Sequence, residues 1–166
     1  KNVFIVEGGP GTGKSVVAIN LLSDLTSKGE NVRYVTKNAT PRKVFEAKLA
    51  GVFTATRIRN LFASSDIFYN AEINSFNTLI VDEAHRLNKQ GGFYGNVGEN
   101  QIKEIINSSK FSIFFIDEDQ RVTTKDIGRK EDIRQIAENL GVNIHEGKLP
   151  SQFRCSGSDG YLEFLD

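Results

Sequence analysis

Two rhythms of apolar and polar positions alternate along the chain. Short apolar runs, the mark of strands buried on both faces, fall at Val3 to Val6, Val32 to Val35, Thr78 to Val81 and Phe111 to Ile116, and Val142 to Ile144 opens a fifth. Between them the spacing turns helical. From Lys14 to Lys28, residues Val17, Leu21, Leu22 and Leu25 recur on one face, and Gly29 supplies a C-terminal stop. Thr40-Pro41 predicts a helix start, because a proline there forfeits no needed hydrogen bond, and the helix runs to about Ala50 with Gly51 as its stop. Glu99 to Ser108 and Glu131 to Leu140 read as two further helices, the second closed by Gly141. Phe53 to Phe76 reads as mixed helix and loop, and Gly91 to Gly98 as a glycine-rich surface loop.

Strands that alternate with helices predict an α/β fold. Its centre is an open, parallel, five-stranded sheet with helices on both faces. Such sheets bind ligands beyond the carboxyl ends of their strands, and the polar groups described below fall at those ends.

Composition narrows the picture modestly. At 166 residues, with 39% apolar and 25% charged, the chain suits one ordinary folded domain. Lysine plus arginine equals aspartate plus glutamate, so no whole-molecule field attracts nucleic acid and any basic surface is local. The single cysteine, Cys155, rules out an internal disulfide. No apolar run approaches the ~18–20 residues that span a bilayer, and a cytoplasmic location is the default expectation.

Gly8-Gly9-Pro10-Gly11-Thr12-Gly13-Lys14-Ser15 lies between a strand and a helix and matches the Walker A, or P-loop, pattern throughout. Its glycines let backbone N–H groups turn toward phosphate oxygens, and the helix N-terminus adds positive dipole character. Lys14 is expected to reach the β- and γ-phosphates of ATP, and Ser15 to bind Mg²⁺ through its hydroxyl. Leu79-Ile80-Val81-Asp82-Glu83-Ala84-His85 places two carboxylates after a strand, in Walker B fashion. Asp82 is expected to help hold the magnesium ion, and Glu83 to act as general base on the attacking water. His85 either couples the site to a second domain or packs. Phe114 to Gln120 repeats the form of an apolar strand with a polar tip; of that tip, Gln120 is the better candidate for sensing the γ-phosphate, because the acidic Asp117, Glu118 and Asp119 would repel it.

Four blocks in this order, Gly8 to Ser15, Asp82 to His85, Asp117 to Gln120 and Gln152-Phe153-Arg154, resemble superfamily 1 helicases. Tyr34-Val35-Thr36-Lys37-Asn38, Phe115 to Val122, Lys125-Asp126-Ile127-Gly128 and Gln152 to Asp159 are closer still to the Schlafen group 3-like helicase domains. The resemblance covers nearly the whole chain. It implies a RecA-like fold with strand order 5-1-4-3-2, an ATPase activity, and a role for Arg154 at the γ-phosphate like that of an arginine finger. It further implies that residues 1–149 form a first RecA-like motor domain and that 150–166 begin a second one or a C-terminal extension. The chain therefore reads as a piece of a longer protein.

In the resembled family the nucleic-acid contact segment follows the second strand, where this chain has Thr36, Lys37, Asn38 and Arg42. From Lys37 to Arg59 six basic residues face one acidic residue, Glu46, a local bias that a solvated helix face would also explain. The expected function is thus an ATP-driven DNA or RNA motor; the alternative is a regulatory ATPase switch acting on a protein partner. A GTPase is disfavoured because Asn88-Lys89-Gln90 continues into Gly91, without the aspartate of a guanine reader. A Rossmann dehydrogenase is disfavoured by the glycine spacing.

Overall fold

The computed structural model of the chain describes residues 1–37, 54–89, 98–117, 119–120 and 127–150. Its strands are β1 (Asn2–Glu7), β2 (Val32–Val35), β3 (Phe62–Ala63), β4 (Phe76–Val81), β5 (Ser109–Ile116) and β6 (Asn143–Lys148). Its α-helices are α1 (Lys14–Ser27), α2 (Ala55–Leu61), α3 (Gln101–Ser108) and α4 (Lys130–Asn139), with 3-10 turns at Ser65–Asn70 and Ala84–Arg86.

The strands form one parallel sheet in the order β3-β2-β4-β5-β1-β6. The expected order 5-1-4-3-2 is present, but the sheet has six strands among the described residues, not five. The addition is β3, which pairs Phe62 with Tyr34 and Ala63 with Val35 at the outer edge. A strand of two residues carries no alternation for sequence reading to detect.

Side-chain alternation divides the core between the two faces. Val3, Ile5, Leu79, Val81, Phe114 and Ile116 pack with α3, α4 and the first 3-10 turn. Val6, Tyr34, Ile80, Ile113 and Phe115 pack with α1 and α2 on the other face. Burying each such side chain contributes roughly 1.5–3 kcal/mol.

Local chemistry sets the helix ends. Asn100 caps α3, its side chain accepting from Ile102 N at 2.9 Å and Lys103 N at 3.1 Å, while the Glu104 carboxylate accepts from Glu99 N at 2.7 Å. This reciprocal cap explains why α3 begins at Gln101 and not at Glu99. Gly29 (φ 80°) and Gly141 (φ 64°) adopt the left-handed conformation expected of helix stops. The expected helix from Pro41 to Ala50 lies outside the described residues, as does most of the loop from Gly91 to Gly98. No helix among the described residues is long and apolar enough to cross a membrane.

Candidate functional site

The turn between β1 and α1 is built from small residues for a steric reason. Gly11 (φ 76°) and Gly13 (φ 85°) sit in the left-handed region, and a Cβ on Gly8 would lie 2.4 Å from Thr12 Oγ1. Thr12 Oγ1 donates to Gly9 O at 3.0 Å, and Gly8 N donates to Ile116 O at 3.2 Å, which ties the loop to the end of β5. Gly8, Gly9 and Thr12 thus shape the loop, while Pro10, Gly11, Gly13, Lys14 and Ser15 line the cleft above it.

That cleft has a volume of about 340 Å³ and lies between the loop and the tips of β4 and β5. Asp82, Glu83, His85 and Gln120 form its other wall. Lys14, Ser15, Asp82, Glu83 and Gln120 are therefore brought together around one cleft. Ser15 Oγ donates to Asp82 Oδ2 at 2.7 Å. The same oxygen accepts from Tyr34 Oη at 2.5 Å, and Asp82 Oδ1 accepts from Glu83 N at 3.0 Å. Asp82 is only 3% exposed, yet it has no ion pair among the described residues. Burial first, then the charge and hydrogen bond of Asp82, push the Tyr34 phenol far above its ordinary value, so it stays protonated and donates.

Lys14 is differently occupied. Its ammonium donates to Gly8 O, to Gly9 O at 2.7 Å and to Asp117 Oδ2 at 3.0 Å, all three bonds partly buried. Glu83 holds a left-handed backbone (φ 52°), which costs a non-glycine residue roughly 1–3 kcal/mol and is the kind of strain that gathers at working sites. Its carboxylate pairs with Arg86 at 3.6 Å. His85 is buried, and its Nδ1 accepts from Asp117 N at 3.3 Å, which links the tips of β4 and β5.

Ile127 and Gly128 pack closely against this turn. Ile127 N donates to Leu87 O at 2.8 Å, and a Cβ on Gly128 would fall 1.7 Å from the Ala84 carbonyl oxygen. Beyond the cleft, Thr36 is buried at the tip of β2 with its N–H on Ala63 O, and Lys37 follows it half-buried. Asn38, Arg42 and Arg154 lie outside the described residues.

Residues 1–166 match the family model described as Schlafen group 3, DNA/RNA helicase domain. The chain belongs to that family. No curated protein matches it. Among solved structures, the Schlafen group 3 chain is similar to the Hef helicase domain of Pyrococcus furiosus, at 15% identity and a TM-score of 0.52 over 93% of its own length and 36% of that structure. AMPPCP-bound DnaA from Aquifex aeolicus aligns at 16% identity and a TM-score of 0.43, over 99% of this chain and 46% of that one. The chain thus spans about a third of the Hef structure, and that likeness shows a shared helicase-like P-loop fold.

Within this family domain, sequence reading missed Tyr34 and the bond from Asp117 to Lys14. Tyr34 reads as one more core residue of a strand. The available signal was its hydroxyl, which a buried site must satisfy.

Proposed function

We propose that this domain binds ATP with Mg²⁺ and hydrolyses it, as the first motor domain of a superfamily 1-like helicase or translocase. The carrying observation is the convergence of Lys14, Ser15, Asp82 and Glu83 on one cleft at the strand tips. The backbone N–H groups of Gly11 to Ser15 bind phosphate oxygens, and Lys14 stabilises charge on the β- and γ-phosphates. The donors fit a hard divalent cation: Ser15 Oγ and a buried Asp82 carboxylate stand 2.7 Å apart, and magnesium needs only one or two protein oxygens besides phosphate and water. Held by Ser15 and Asp82, Mg²⁺ would supply positive charge to offset that of the phosphates.

Glu83 takes a proton from the water whose oxygen bonds to the γ-phosphorus as the bridging oxygen leaves with ADP. Gln120, exposed at the cleft rim, orients that water or contacts the γ-phosphate. Arg154, by resemblance, adds positive charge there. Residues 1–149 constitute the motor domain in this reading, with residues 150–166 leading into a second RecA-like domain. Thr36, Lys37, Asn38 and Arg42 contact DNA or RNA.

The test is ATP binding by calorimetry with and without Mg²⁺, followed by turnover of the full-length protein with single-stranded DNA and RNA. Glu83→Gln is expected to keep ATP affinity while turnover falls by ~10²–10⁴-fold. Full turnover in that variant removes Glu83 as the base. Turnover that no nucleic acid stimulates overturns the motor reading in favour of a regulatory switch.

A further inference from the structure

Tyr34 is fully buried on β2, where its ring packs tilted against Phe62 with centroids 5.5 Å apart. Packing between α1, α2 and the sheet requires only that ring. The hydroxyl is an added burden, since a buried O–H without a partner costs several kcal/mol. It is spent on Asp82 Oδ2 at 2.5 Å. The adjacent Val35 carbonyl accepts from Asp82 N at 2.9 Å, so β2 grips Asp82 through both side chain and backbone.

The character of this grip matters. Ser15 Oγ, Tyr34 Oη and Glu83 N are all neutral donors. They fix the carboxylate plane without cancelling its charge. A cation arriving in the cleft meets a carboxylate already oriented and, among the described residues, without an ion pair. Groups that hold a metal-binding carboxylate from behind typically alter metal affinity by ~10–100-fold.

We propose that Tyr34 is a positioning residue for the cation half of the site: its hydroxyl sets the orientation of Asp82 and thereby the Mg²⁺ concentration at which ATP binds tightly. This rests on the reading of the cleft as an ATP and Mg²⁺ site. Tyr34 touches neither ATP nor the ion; it acts through Asp82.

The experiment measures ATP affinity across a Mg²⁺ titration for the full chain, Tyr34→Phe, Asp82→Asn and the double variant, with a melting curve for each. Tyr34→Phe keeps the ring and is expected to raise the Mg²⁺ midpoint by ~10-fold, with Mg²⁺-free ATP affinity held within about twofold. In the Asp82→Asn background the same change is expected to add nothing, because the group it acts through is gone. An unchanged midpoint in folded Tyr34→Phe, or an equal shift in the Asp82→Asn background, overturns the proposal alone. A parent chain whose ATP affinity ignores Mg²⁺ overturns the cation reading and this proposal with it. A second measurement avoids the variant. In the parent chain carrying 3-fluorotyrosine, Mg²⁺ added to the ATP complex is expected to shift a fluorine resonance shielded from a dissolved paramagnetic agent. No shift in any shielded resonance counts against Tyr34.

Discussion

Asp82 and Asp117 stand at the tips of neighbouring strands, each after an apolar run and each almost wholly buried, at 3% and 1% exposure. Their electrostatic situations are opposite. Asp82 is held by two hydroxyls and a backbone N–H, and has no ion pair among the described residues. Asp117 faces the Lys14 ammonium at 3.0 Å and is already compensated. In the proposed reading, one carboxylate receives a cation from outside, and the other holds the Lys14 ammonium beside the cleft. The same pattern of strand and acidic tip therefore yields two electrostatic environments, divided by which side chain of the P-loop reaches over it: Ser15 in one case, Lys14 in the other.

The contrast is broken most severely at Lys14. Lys14→Ala removes the proposed phosphate ligand and leaves Asp117 buried without its cation. Loss of measurable ATP binding is expected, with a stability loss of ~3–5 kcal/mol in denaturant unfolding. Unchanged ATP affinity would discard the cradle assignment.

Asp117→Asn sharpens the comparison from the other side. All three Lys14 donors are engaged by Gly8 O, Gly9 O and Asp117, so ATP must draw the ammonium away from at least one of them. The variant is expected to lose ~3 kcal/mol of stability without ligand, yet to bind ATP no more weakly than the parent, because Lys14 is released. A large drop in ATP affinity would make Asp117 a ligand-side group, like Asp82.

Gly128→Ala tests the close packing at the β4 tip. A methyl group 1.7 Å from Ala84 O forces the backbone apart, with an expected cost of ~1–3 kcal/mol. Turnover should fall more than ATP affinity, since Glu83 and His85 flank the displaced residue while Lys14 does not. Equal losses would mean that the disturbance reaches the P-loop as well.

The smallest effect is expected on the surface. The Glu146 carboxyl is held below its ordinary value by hydrogen bonds from Arg134 and then Lys130. A lowered carboxyl pKa stabilises the fold above the unfolded value and ceases to do so as pH falls through the native one. Glu146→Gln should therefore lower the melting temperature by no more than ~3 °C at neutral pH. The gap should close as pH drops below the ordinary 4.5. A gap that persists in strong acid would assign the effect to packing.

Much of this arrangement is legible in the residue order. Gly8 to Ser15 announces its loop because few other functions require that spacing, and Gly29 and Gly141 mark their helix ends through the left-handed backbone they adopt. Legibility fails where a partner decides the structure. β6 runs on to Lys148 through polar residues because β1 offers it a ladder at every residue from Asn2 to Glu7. β5 starts at Ser109 because that hydroxyl is satisfied by Ile105 O and Ser112 Oγ, so a polar residue can enter the core. Tyr34 and Asp117 acquire their roles from residues tens of positions away, which no local pattern encodes.

The placement of β1 between β5 and β6 has a consequence in time. Both neighbours come from the last third of the sequence, so the strand that carries the P-loop cannot be paired on either side until Ser109 and beyond have been made. At ribosomal rates of ~5–20 residues per second, that delay is on the order of ten seconds. Throughout it Val3 to Val6 remain an unpaired apolar segment. Folding must await closure of a long chain between β1 and its partners, and this topology belongs to the slow, non-local class. The phosphate loop is thus synthesised well before the two strands that flank β1, and it reaches its final shape only after both have been made.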